Sequence, residues 1–239
     1  MPLIANPKGN YILASLPADA YARLLPYLEQ VSLTLGQSLY ESGDELEHMY
    51  FPIDSIISLL YVTENGSSSE ISVVGFEGIL GIGLFMGGGG APNRAIVQNA
   101  GTAFRLKAGL LKGEFAAGGS LLLQLLRYTQ ALMTQMAQTA VCNRHHSVEQ
   151  QLCRWVLLSI DRLPSNKMKM TNQLVANMLG IRLDKVMDVA SKLQFARLIH
   201  YDNGNITVLN RLELETLVCE CYQVIKKEYH RLQPELMAA

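Results

Sequence analysis

The residues of this 239-residue chain best suited to metal binding or nucleophilic chemistry are four cysteines and five histidines. Cys142, His145, His146 and Cys153 lie near one another, but their spacing is not a zinc pattern. Cys219 and Cys221 stand two apart in a stretch that reads as helical, where side chains at that separation face different directions and cannot chelate together. No metal is assigned. The thiols form no disulfide-framework pattern and read as reduced cysteines of a cytosolic protein. Catalytic motifs are absent as well: there is no Gly-x-Ser-x-Gly elbow, no Walker loop and no His-Glu-x-x-His. The glycine run 87–90 is not followed by Lys-Ser/Thr and reads as a flexible loop. Asp161 and Arg162, at a helix end, read as a solvated cap. No catalytic residue is assigned, and the chain reads as a non-enzyme.

What remains is the chemistry of binding. Thr171 can cap a helix running through Leu179, Gly180 supplies a turn, and a second helix spans 183–193. Two helices joined by a short glycine-containing turn are the sequence form of a DNA-reading motif. Residues 198–209 then give two strands around Asn203-Gly204, a strong hairpin signal that predicts a wing. A last helix is expected from Arg211 to about Leu232. The domain that carries these elements, 147–239, opens with a helix over 148–161 and holds 12 basic against 10 acidic residues; 1–146 holds 8 against 11. That asymmetry agrees with an anionic partner for the C-terminal half, while the net charge of −1 announces none.

Two further elements must position this reader. Short β-branched runs at 39–40, 49–51, 56–62, 70–74, 95–99 and 102–106, parted by turn residues, predict an antiparallel sandwich, barrel or roll within 1–119, preceded by a helix over 18–28. Over 120–146 the period changes to that of a long helix. Leu122, Leu125, Leu126, Thr129, Leu132, Met133, Met136 and Ala140 recur at three- and four-residue steps, and Arg127 is the one charge between Ser120 and Cys142. Such a helix must bury most of its surface, as an internal core helix or against a symmetry mate in a C2 dimer. Residues 1–8 lack the pattern of a secretory leader, and no window is apolar enough to span a membrane, so a cytoplasmic protein is expected.

The order of these pieces, with Gly75-Phe-Glu-Gly78, Gly81, Arg94-Ala-Ile-Val-Gln98, the segment 146–157 and the segment 198–211, resembles the Crp/Fnr transcription regulators over about 16–229. The resemblance implies an α+β fold: an N-terminal antiparallel β-roll of double-stranded β-helix or jelly-roll type with flanking helices, a long dimerisation helix, and a C-terminal winged helix-turn-helix. It implies a homodimer bound to double-stranded DNA, with RNA polymerase as a further partner. In the family a glutamate of the roll holds a ribose and an Arg with a small neighbour neutralises a cyclic phosphate. Position by position this makes Gly75, Glu77, Gly78, Gly81, Arg94 and Ala95 the ligand-binding set. Here Arg94 follows Glu77 by 17 positions, across the glycine run, where cyclic-nucleotide binders keep the two about ten apart. The chain thereby resembles members with no assigned cyclic nucleotide. No cofactor is assigned and the effector stays open.

By the same resemblance Thr171, Asn172, Arg182, Asp184, Lys185 and Lys192 would face DNA. The reading helix departs from the family at Leu183, in place of a basic residue, and at Asp188, where an Arg would meet the major groove. Its charges from 183 to 193 cancel, and phosphate neutralisation dominates DNA affinity. The alternative is therefore a member that acts through protein contacts rather than operator reading.

Overall fold

The computed structural model describes residues 5–116, 119–202 and 204–234; the first four residues and Asn203 of the expected wing turn lie outside them. Helices α1 (Tyr11–Ala14) and α2 (Ala18–Leu24) lead in. Asn10 fixes this start: its side chain caps α1 and donates to the carbonyls of Pro52 and Gly78 at 3.0 and 2.8 Å. The helix expected over 18–28 stops early, because Pro26 cannot donate to a helical ladder and residues Leu25–Tyr27 tighten into a 3-10 turn.

Seven strands follow: β1 (Glu29–Leu33), β2 (Ser38–Tyr40), β3 (His48–Pro52), β4 (Ile56–Val62), β5 (Ser68–Val74), β6 (Arg94–Asn99) and β7 (Gly101–Lys107). They form two antiparallel sheets, β1-β7-β3 and β2-β6-β4-β5, which make the roll. Alternating residues such as Met49, Phe51, Leu106 and Val97 are fully buried in its core. β1 is the strand that the sequence pattern does not announce; its burial is almost wholly exposed, so no apolar alternation marks it.

Helix α3 (Ala108–Ala116) precedes the 26-residue α4 (Ser120–His145), which spans about 39 Å at 1.5 Å per residue. The apolar stripe read from the sequence divides between two faces of α4. Leu125, Thr129 and Leu132 are buried inside the chain, Leu122 and Met136 are half-buried, and Leu126, Met133 and Ala140 stand in solvent. A helix hydrophobic nearly all round leaves periodicity alone unable to say which side its own chain covers.

His146, extended at the end of α4, turns the chain into α5 (Val148–Ile160), which a Ser147–Gln150 capping box starts. Then come β8 (Lys167–Lys169), α6 (Asn172–Leu179), α7 (Leu183–Phe195), β9 (Ile199–Asp202), β10 (Asn205–Val208), α8 (Arg211–Leu217) and α9 (Glu220–Leu232). The three strands pair in the order β8-β10-β9. The single last helix expected from 211 is two helices, broken at Val218 and Cys219, both extended. One cluster of buried side chains runs from Tyr11 to Leu232 through roll, long helix and reader.

Candidate nucleic-acid interface and sensor pocket

The helix-turn-helix is built as its residue types require. Thr171 Oγ1 accepts from the Leu174 amide at 3.2 Å and caps α6, and Gly180 closes the helix at φ 65°, a left-handed conformation that suits glycine. Helix α7 buries Val186, Ala190 and Leu193. Its opposite face exposes Asp184, Lys185, Met187, Asp188, Ser191 and Lys192. Asn172 is half-buried beside a small pocket between α6 and α7 rather than free at the surface. Arg182 caps α7 with its backbone, and its guanidinium donates twice to the Asp184 carboxylate at 3.0 Å. That hydrogen bonding holds Asp184 below the usual carboxylate range. The sequence pattern does not announce β8. As an edge strand it exposes Lys167 and Lys169 on either side of buried Met168, an e-B-e alternation too short to stand out.

The phosphate cassette is not assembled. Glu77 is buried and turned away from the roll interior: its Oε1 accepts from Arg162 Nε at 2.6 Å and from the Gly75 amide at 3.2 Å. Arg94 pairs with Glu41 at 2.9 Å, and Ala95 is sealed in the roll core. Gly75 and Gly78 serve close approach instead. A Cβ on Gly78 would lie 1.9 Å from the Tyr128 ring, and one on Gly75 would lie 2.8 Å from the Arg162 side chain. Of the six residues assigned to a ligand, Gly81 alone lines the roll's cavity. That cavity, of about 430 Å³, is walled by Leu59, Ile71, Ile79 and Leu80 and closed by Leu132 and Met136 of α4. Its polar features are few, Tyr40 and Asn93 among them, and no charged side chain lines it among the described residues. It has no guanidinium or ammonium for a phosphate.

The solvated cap expected at Asp161 and Arg162 is in fact the seam between roll and reader. Arg162 also donates from Nη2 to Gln135 of α4 at 3.0 Å and from Nη1 to the Leu158 carbonyl at 2.7 Å. Tyr229 of α9 donates to the same Gln135 oxygen at 3.2 Å, and Gln233 donates to the Glu77 carbonyl at 3.1 Å. Asp161 accepts from Tyr222 at 2.9 Å and pairs with Arg211. Glu70 of β5 lies in the same seam. Burial pushes its carboxyl up to about 7, against the pull of Ser58, Arg154 and Trp155. Farther out, Ser68 of β5 donates to the Asn177 carbonyl at 3.4 Å, so the β4–β5 hairpin touches the end of α6.

The cysteine geometry also differs from expectation. Cys219 caps α9 with extended backbone and Cys221 lies in the first turn, so the helical rule for residues two apart does not govern them. Their thiols converge with Cys142 and His146. Cys153 is buried apart from them in α5.

No protein-family model matches the chain, and neither does any curated protein. Solved structures do. FixK2 of Bradyrhizobium japonicum aligns with a TM-score of 0.68 over 80% of this chain and 98% of its own, at 14% identity. TTHA1359 of Thermus thermophilus, a transcriptional regulator of the CRP/FNR family, aligns at 0.60 over 79% and 97%, with 17% identity. The fold is that of the Crp/Fnr regulators. The c-di-GMP-responsive global regulator CLP of Xanthomonas campestris shares it too, at 0.63 over 80% and 99% with 14% identity. In this chain α4 joins the roll to the C-terminal helices and the β8-β10-β9 sheet. No helix among the described residues is long and apolar enough to cross a membrane.

Proposed function

We propose that this chain is a homodimeric, DNA-binding transcription regulator of the Crp/Fnr type, cytoplasmic and without catalytic activity. The observation that carries the reading is the outer face of α7, which its own chain leaves uncovered within an intact winged helix-turn-helix. Arg182, Lys185 and Lys192 supply cations to phosphates or base edges, and Lys167 and Lys169 add charge from the edge of the wing sheet. Asp184 can accept from a cytosine amine. Thr171 approaches the backbone from the start of α6, with Asn172 supporting the packing between the two helices.

The dimer seam of this proposal is not the whole stripe read from the sequence. Exposed Leu123, Leu126, Gln130, Met133, Ala137 and Ala140 follow one another at alternating three- and four-residue steps, the repeat of a coiled-coil seam. Leu125, Thr129 and Leu132 belong to the inner face and contribute by holding the roll. The effector pocket is the apolar cavity against α4, which favours a neutral, largely apolar molecule over a cyclic nucleotide.

Binding of the purified protein to mixed-sequence duplex DNA, followed by anisotropy across a salt series, tests the reading. Micromolar affinity that falls steeply with salt is expected, since each neutralised phosphate contributes about −0.9 to the slope of log K against log salt. A folded dimer with no affinity at low salt would overturn it in favour of a module working through protein contacts.

A further inference from the structure

Cys142, His146, Cys219 and Cys221 form a constellation outside both the reading surface and the sensor cavity. Each offers one ligand atom, and the four atoms all lie within 4.8 Å of one another. Cys142 Sγ is 3.5 Å from Cys219 Sγ, and Cys221 Sγ is 3.6 Å from His146 Nδ1. A single tetrahedral ion with Zn–S near 2.3 Å and Zn–N near 2.05 Å would set sulfur–sulfur edges of about 3.8 Å and sulfur–nitrogen edges of about 3.6 Å. An iron–sulfur cubane would instead hold its thiolates farther apart than this group allows. The three sulfurs are buried.

The surroundings are those of a metal-bound imidazole. His146 turns Nδ1 toward the thiols, while Nε2 lies 3.3 Å from the Glu220 carboxylate. A ligating histidine is commonly oriented this way, with its second nitrogen donating to a carboxylate. Three thiolates, one imidazole and a divalent ion carry a net charge of −1. The buried Arg154 guanidinium, bonded to Thr139 at 3.1 Å, extends its positive field to Cys142 and offsets that charge.

The geometry points to a mononuclear Cys₃His site for Zn²⁺ that pins the end of α4 and the α4–α5 turn to the start of α9. Cys142 sits in the last turn of α4, His146 ends it, and Cys219 and Cys221 open α9. Thiolate and imidazole ligands in tetrahedral array select zinc among the abundant divalent ions. Closed by four protein ligands, the site is structural and leaves no position for a reacting water. It fixes the angle at which the reader leaves the long helix.

Cobalt(II) titration of the full-length, reduced and chelator-stripped protein tests this. The expected result is a thiolate-to-cobalt charge-transfer band with intense tetrahedral d–d bands, saturating at one ion per chain and bleached by added Zn²⁺. Cys219→Ser or Cys221→Ser should remove the charge-transfer intensity of that sulfur and weaken binding, whereas Cys153→Ser should leave the spectrum unchanged. Glu220→Gln alters an exposed residue and preserves folding, and it should weaken Zn²⁺ binding about 10-fold or more through the loss of the carboxylate behind His146. A folded, reduced protein with no charge-transfer band would overturn the assignment. So would a band insensitive to both cysteine substitutions and Glu220→Gln, or formation of an iron–sulfur chromophore in place of one-to-one cobalt uptake.

Discussion

Glu77–Arg162 and Arg182–Asp184 join the same two chemical groups in opposite surroundings. The first pair, on the seam between the roll and the C-terminal helices, has side chains 5% and 6% exposed, for arginine and carboxylate; the second, at the start of α7, has 82% and 53%. In water the exposed pair gains little and can exchange its carboxylate for a phosphate at small cost. In the seam neither charge can leave without stranding the other, so the buried pair fixes an arrangement more than it adds stability. The molecule thus holds its halves together with an ion pair it cannot easily open and meets its proposed ligand with one that it can. Helix α4 repeats the contrast along a single element, with Leu132 buried and Leu126 free.

Breaking the seam should have the largest effect. Arg162→Ala is expected to cost about 3–5 kcal/mol in urea unfolding by leaving Glu77 charged and buried, and Glu77→Leu with Arg162→Met should recover most of it. Equal losses for the single and the double change would refute the stranded-charge account. On α4, Leu132→Ala should lower stability by about 3 kcal/mol. Leu126→Ala should spare the protomer and shift the monomer–dimer equilibrium, seen by sedimentation; the reverse pattern would exchange the two faces.

The next prediction concerns pH. Glu70 has its carboxyl raised from 4.5 to about 7 in the fold, so the native state binds the proton more tightly than the unfolded chain. Its contribution is complete below about pH 4.5 and is lost as pH climbs through 7, by about 3 kcal/mol. Glu70→Gln should flatten that slope in unfolding experiments spanning about pH 4.5 to 8; an unchanged slope assigns the titration elsewhere. Arg154 and Arg162 are the cations acting on it and moderate the rise. The smallest effect is expected at the surface. Arg182→Ala should leave the unfolding midpoint essentially unchanged while lowering the salt slope of DNA binding by about 1.

Features encoded within a few residues were legible in the sequence. Thr171 and Gly180 announced both ends of α6, and six strands of the roll came from β-branched runs between turns. Partnerships across the chain were not legible. Arg162 meets a carboxylate 85 positions away, and nothing local separates it from a solvated helix end. The break that lets Cys219 and Cys221 converge falls in Leu-Val-Cys-Glu, with no glycine or proline to mark it. Glu77 and Arg94 fit a ligand motif by type, yet the folded chain had given each another carboxylate or guanidinium first. The two faces of α4 needed the roll in place before one could be told from the other.

The contact of Gly78 with Tyr128 constrains the order in which this sequence can change. While the ring is present, position 78 admits no side chain. A lineage that acquires alanine there must already have exchanged Tyr128 for something smaller, and a return of the aromatic residue would be barred until glycine came back. The two positions, fifty apart along the chain, are sterically constrained as one choice.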